Sequence, residues 1–264
     1  MRPTHANSRE SLQPPGARAP AAWPSPPEPL VYAPAPGLPQ VVYADPWLVV
    51  VDKPSGLLSV PGRRPEHHDS ALLRLQQAYG PLWVVHRLDM DTSGLIAYAR
   101  SREAAAQLGR QFERRTIRKA YEALVWGQPA SPTGVIALPL RLDWPHRPRQ
   151  CIDAVAGKPS VTHYAQLGDA RVLPPVPAPA LDTSLPEHLR KPFSRLRLTP
   201  VTGRSHQLRV HLSAIGLPIL GDRFYGRTED EGTGIGRLML HARVLELQHP
   251  DDGRWLRMEA SPAF

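Results

Sequence analysis

The chain has 264 residues, and its 32 Lys and Arg against 24 Asp and Glu leave a formal net charge of +8 with the histidines neutral. With 41% hydrophobic residues it can build a real core, and it has no apolar run of about 18 residues, so a transmembrane helix is excluded. A single cysteine, Cys151, excludes an internal disulfide and any cysteine-cluster metal site. The positive balance favours a polyanionic partner, most commonly nucleic acid.

The N-terminus, MRPTHANSRESLQPPG, lacks the apolar stretch of a secretory signal, so a cytoplasmic protein is expected. Residues 1–40 hold 11 of the 32 prolines and few large apolar side chains. Such a segment buries too little surface to offset its ordering entropy, so residues 1–38 are expected to form a disordered tail, leaving 39–264 as one large domain. Trp47–Asp52 (WLVVVD) followed by KPSG predicts a strand ending in a turn. Asp69–Tyr79 predicts a helix with Asp69 as its cap and Leu72, Leu75 and Ala78 at helical spacing. Trp83–Val85 and Leu95–Ala99 predict strands around a polar turn, Arg102–Arg114 a helix, and Lys119–Trp126 a strand. The proline-rich stretch 173–192 (LPPVPAPALDTSLPEHLRKP) is expected to be an inserted surface loop between strands. Ser205–Ile215 predicts an amphipathic helix with Leu208, Leu212 and Ile215 on one face. Strands and helices interleave without a regular βαβ rhythm, which favours a mixed, largely antiparallel α+β architecture.

Chemistry concentrates in the turn HRLDMDTSG (86–94), because loops held between rigid strands are where reactive groups tend to sit. By itself the segment also fits a structural Asx turn in which Gly94 supplies backbone freedom. The segment resembles the HRLD-x-x-TSG signature of the RluA family of pseudouridine synthases, and four further segments match in order. These are VDKPSGLLSVPG (51–62), RKAYEALVWG (118–127), PVTGRSHQLRVHLSAIGLPILGDRFY (200–225) and RLMLHA (237–242). Asp91, at an open position of that signature, puts an extra acid between Asp89 and the TSG triplet.

The resemblance implies the pseudouridine synthase catalytic fold, with helices flanking the sheet and a central RNA-binding cleft. It implies Asp89 as nucleophile, Tyr121 as the ring that stacks on uracil and moves a proton at C5, and Arg209 as the cation paired with Asp89. Arg87 would fill the gap left by an everted nucleotide, since a stacked uridine hides the reacting atoms. Arg204 and Gln207 would position the helix or contact RNA, and Leu240 would line the base pocket. The isomerisation conserves atoms, so no cofactor and no metal is expected. His206 and His211 lie about 140° apart around a helix and share no metal-binding face, and GTGIGR (232–237) is too partial a glycine pattern for a dinucleotide site.

The implied partners are tRNA, through its anticodon stem-loop, and 23S rRNA. Neither membrane nor DNA is expected as a partner, and nothing in the residues requires more than a monomer. Arg63, Arg64, Arg114, Arg115, Arg118 and Lys119 form two basic clusters that suit either phosphate binding or a solvated surface. Two other readings stand beside this one. One is a catalytically silent RNA-binding module, which would not need Asp89, Tyr121 and Arg209 together. The other is a hydrolase pairing Asp89 with Asp91, which is disfavoured.

Overall fold

The computed structural model describes residues 31–168, 192–226 and 235–264. Strands β1 (Gln40–Ala44) and β2 (Leu48–Lys53) pair antiparallel. Leu48 and Val50 of β2 join one core cluster, Val49 and Val51 another. A strand covered on both faces has no polar face to show, which is why WLVVVD reads as a run instead of an alternation.

Helix α1 (Ala71–Tyr79) is capped by Ser70, whose Oγ accepts from the Leu73 amide at 3.3 Å. Asp69, the expected cap, instead takes two hydrogen bonds from the Arg74 guanidinium at 2.8 and 2.6 Å. Strands β3 (Trp83–Val84) and β4 (Ser93–Ala99) pair antiparallel around the polar turn. Helix α2 (Arg102–Glu113) is capped by Ser101 and buries Ala104 and Leu108. After β5 (Arg118–Trp126) and β6 (Thr133–Ala137), a small separate hairpin joins β7 (Leu140–Leu142) to β8 (Gln150–Ile152). Then come β9 (Val161–Gln166), β10 (Phe193–Pro200), α3 (Gln207–Ala214), β11 (Leu240–Gln248) and β12 (Trp255–Glu259).

Among the described residues, ten strands form one sheet in the order β1-β2-β4-β11-β5-β10-β9-β6, with β12 beside β11 and β3 beside β4. The β4–β11 pair is parallel and the other pairs are antiparallel, so the architecture is the expected α+β one. Helices α1 and α2 cover opposite faces of the β2–β4 half, while α3 packs against β5 and β10 of the other half.

The two halves meet where β4 lies against β11, with Gly94 opposite Ala242. Gly94 has φ +109°, and a Cβ there would stand 2.4 Å from the Ala242 carbonyl oxygen. The TSG glycine therefore permits a backbone-to-backbone contact that no side chain could share.

Two expectations change, and two segments lie largely outside the described residues. Residues 31–38 form no helix or strand, but they are tied to the body: the Tyr32 hydroxyl donates to the Asp69 carbonyl at 2.7 Å, and Arg74 donates to the carbonyls of Ala35 and Gly37. Aromatic and backbone contacts outweigh the proline-rich composition there; residues 1–30 lie outside the described ones. Helix α3 is not amphipathic: six of its eight residues are buried, and Ile215 lies beyond its end, 40% exposed. Of the 173–192 stretch, only Pro192 lies within the described residues, and of GTGIGR only residues 235–237.

Candidate active site

The upstream KPSGLLS segment grips the polar turn carbonyl by carbonyl. Ser59 Oγ donates to the Leu88 carbonyl at 2.8 Å and accepts from the Leu88 amide at 3.1 Å. The Met90 carbonyl accepts from the Gly56 amide at 3.0 Å and from Lys53 Nζ at 2.9 Å. The Asp91 carbonyl accepts from Ser55 Oγ at 2.7 Å. Lys53 is fully buried, and its ammonium also reaches the carbonyls of Pro54 and Leu57. Burial pulls its pKa down to about 7, against the opposing pull of Asp91 and Asp89. These bonds fix the backbone on either side of Asp89 and leave its side chain free to face the cleft.

Asp89 meets a cation that is already committed elsewhere. Arg209 is 2% exposed, and its guanidinium donates two hydrogen bonds to Asp222, Nε to Oδ2 at 2.7 Å and Nη2 to Oδ1 at 2.6 Å. Asp222 Oδ1 also accepts from the amides of Phe224 and Tyr225 at 2.9 and 3.1 Å. The Phe224 and Tyr225 rings each lie 5.2 Å from the Arg209 guanidinium carbon. Burial opposes charge on both partners, but the fork-shaped pairing prevails: Arg209 is raised and Asp222 lowered from their ordinary values. The remaining Arg209 nitrogen, Nη1, lies 3.5 Å from Asp89 Oδ2. The expected Asp89–Arg209 pair is therefore the weaker half of a three-membered arrangement.

A second nitrogen faces Asp89. His206 Nε2 lies 3.9 Å from Asp89 Oδ2, and its Nδ1 is 2.7 Å from the Tyr225 hydroxyl. The Gln150 amide donates to that same hydroxyl at 2.7 Å, so Tyr225 joins His206 to the β8 backbone. Burial lowers the His206 pKa, with Asp89 partly opposing, so the ring is neutral at pH 7. Tyr121, on β5, is raised above its ordinary value, first by burial and then by the Asp89 charge, and stays protonated. The hydrolase pairing loses its basis, since Asp91 faces Arg223 (Nε to Oδ2, 3.0 Å) while Asp89 faces Arg209 and His206. The shape of the turn separates them, because residues two apart on a straight strand would share a face.

All seven expected site residues line one cleft of about 1160 Å³: Arg87, Asp89, Tyr121, Arg204, Gln207, Arg209 and Leu240. Arg87 and Arg204 are exposed at its rim, whereas Leu240 is buried. Gln207 is corrected to a purely internal role. Its Oε1 accepts from Thr202 Oγ1 and the Arg204 amide, and its Nε2 donates to the Val161 carbonyl and Thr162 Oγ1. That uses its whole hydrogen-bonding capacity on the entry to α3. His211 is likewise internal, held by Thr162 and the Leu138 carbonyl.

Eight cationic side chains line the cleft against three acids. Of the six expected basic residues, Arg115 and Lys119 are among them, whereas Arg118 pairs with Glu246 and Arg64 with Glu66. Arg147, Arg149 and Arg223 also line the cleft, and no local pattern in the sequence marks them. Asp222 and Lys53 lie inside the matched motifs, and a buried arginine's need for a buried acid is the signal that points to Asp222.

Residues 47–214 match the family model described as RNA pseudouridylate synthase, so the chain belongs to that family and is an RNA uridine isomerase. It is 45% identical over 224 residues to the dual-specificity RNA pseudouridine synthase RluA of Pasteurella multocida, covering 85% of this chain and 93% of the relative. It is 47% identical over 218 residues to the protein of that name from Vibrio vulnificus, covering 83% and 80%. Among solved structures, human RNA pseudouridylate synthase domain containing 1 aligns with a TM-score of 0.68 at 28% identity, covering 87% of each chain.

Proposed function

We propose that Asp89 is the nucleophile that converts an everted uridine to pseudouridine. The carrying observation is a carboxylate at the cleft whose nearest guanidinium is clamped from behind by Asp222. That cation reaches one carboxylate oxygen only and leaves the other open to the cleft. The Asp89 carboxylate bonds to C1′ as the N1–C1′ bond breaks, the freed uracil anion turns, and C5 bonds to C1′ as the carboxylate leaves. The C5 proton then leaves. Tyr121 keeps its proton, so its hydroxyl works as a relay, accepting the C5 proton while passing its own to solvent, and N1 takes up a proton from solvent to complete the product. Its ring and Leu240 form the base platform, and Arg87 occupies the space the uridine vacates. Arg204, exposed at the rim, contacts RNA.

The RNA path follows the cationic wall and continues onto the β7–β8 hairpin, whose residues Pro145–Arg149 border the cleft. There Trp144 is 64% exposed, with the Arg147 guanidinium 4.2 Å from its ring centre. An exposed aromatic beside a cation suits stacking on an unpaired base. The substrates proposed are the anticodon stem-loop of tRNA and a loop of 23S rRNA, supported by the motif resemblance and by the dual specificity that the relatives' name carries. The protein acts as a monomer in the cytoplasm. Incubation of purified protein with tRNA and 23S rRNA transcripts, followed by pseudouridine mapping, should show modification in both. Product in neither would reject the assignment, and product in one alone would reject dual specificity.

A further inference from the structure

Asp91, the acid at the second open position of the HRLD-x-x-TSG signature, sits one residue beyond Met90 from the proposed nucleophile. Its carboxylate takes a hydrogen bond from Arg223 Nε at 3.0 Å, with side chains 18% and 31% exposed. Both residues border the main cleft and also a neighbouring hollow of about 810 Å³, so the pair is a strut in the wall between the two. Arg223 directly follows Asp222, the residue that clamps Arg209. The turn is therefore tied to one short segment, GDRFY, at both of its acids: Asp89 through Arg209 and Asp222, and Asp91 through Arg223.

The two ties differ in quality. The Asp89–Arg209 contact is long at 3.5 Å, whereas the Asp91–Arg223 contact has charge-assisted hydrogen-bond length. The opposite side of the turn is held by Lys53 and Ser55 through backbone carbonyls. We propose that the Asp91–Arg223 ion pair is the latch that fixes the reactive turn against the Asp222 segment, making Asp91 a positioning residue for Asp89 and not an RNA contact. A displacement of an ångström at a reacting group is enough to cost large factors in rate. The pair also keeps Arg223 occupied at a cleft already rich in cations.

This inference rests on the proposed role of Asp89. The test is steady-state and single-turnover pseudouridine formation on a tRNA transcript by the full chain and by Asp91→Ala, Asp91→Glu, Arg223→Ala, the double alanine variant and the swap D91R/R223D. Asp91→Ala should lower kcat about tenfold with KM changed less than twofold and thermal melting retained. The double variant should be no worse than either single one, and Asp91→Glu should restore most of the rate. The swap, which restores opposite charges in reverse order, should recover part of it. Normal kcat in Asp91→Ala would overturn the latch, as would additive losses in the double variant. So would an effect confined to KM, which would make Arg223 a phosphate contact. Inactive wild type, or an active Asp89→Asn, would strike the nucleophile assignment instead; normal Asp91→Ala beside an inactive Asp89→Asn strikes only the latch.

Discussion

Two carboxylates share the Arg209 guanidinium, and they live in different worlds. The Asp222 side chain is inaccessible, holds two short bonds to Arg209 and accepts two backbone amides. The Asp89 side chain is 26% exposed and stands 3.5 Å from the one nitrogen left over. One acid is spent on structure, and the other is left accessible from the cleft. A lone buried arginine beside Asp89 would carry a desolvation cost of several kcal/mol, and would recover it by pairing with the reactive group itself. Supplying a second acid behind it separates the cation's stability from its chemical use.

Substitutions at these two acids should therefore part company. Asp89→Asn should lower pseudouridine formation by at least about a thousandfold while leaving RNA affinity and unfolding stability near those of the wild type. Near-normal turnover would end covalent catalysis by Asp89. Asp222→Ala leaves Arg209 buried without its clamp, and should cost about 3–5 kcal/mol of stability by urea unfolding. A loss below about 1 kcal/mol would mean Asp89 can take over as partner, and the division of labour would fail.

Tyr121→Phe keeps the ring and removes the relay. Binding should persist, while release of pseudouridine slows by about 10²–10⁴ in rapid-quench measurements. Full activity would remove the hydroxyl from the mechanism. At the RNA surface, Trp144→Ala should weaken tRNA binding by about 1–3 kcal/mol without altering the rate at saturating RNA. An unchanged affinity would restrict the RNA path to the cleft itself.

The smallest effect concerns acid. Asp222 has a folded-state pKa below its unfolded value of about 3.9, so its contribution is fully present above that value. It is lost as pH falls through the depressed folded value, because the unfolded state then binds the proton first. Stability measured from pH 5 downward should fall less steeply in Asp222→Asn than in the wild type. Parallel slopes would show that Asp222 is not the titrating clamp.

Legibility differed from region to region for physical reasons. Helix α2, capped by Ser101 and buried through Ala104 and Leu108, follows from local spacing alone. So does β2, since an apolar run between turn residues leaves few alternatives. Strand β6 (TGVIA) carries one fully buried residue, Ile136, and local pattern offers little to mark it. Helix α3 misleads, because its polar residues are inside: Gln207, Arg209 and His211 are buried with their partners on other elements. Period counting places polar side chains outward, and cannot see a hydrogen bond to a residue far along the chain.

What the amino-acid order determined was chemical identity: the carboxylate at 89, the phenol at 121, the guanidinium at 209 and the motifs that mark the family. What only the folded chain decided was how the charges are divided. Asp89 reaches Arg209 and Asp91 reaches Arg223 through contacts that need both halves of the sheet assembled around the Gly94–Ala242 joint. Electrostatic worth depends on distance and burial, and neither exists until the strands have paired.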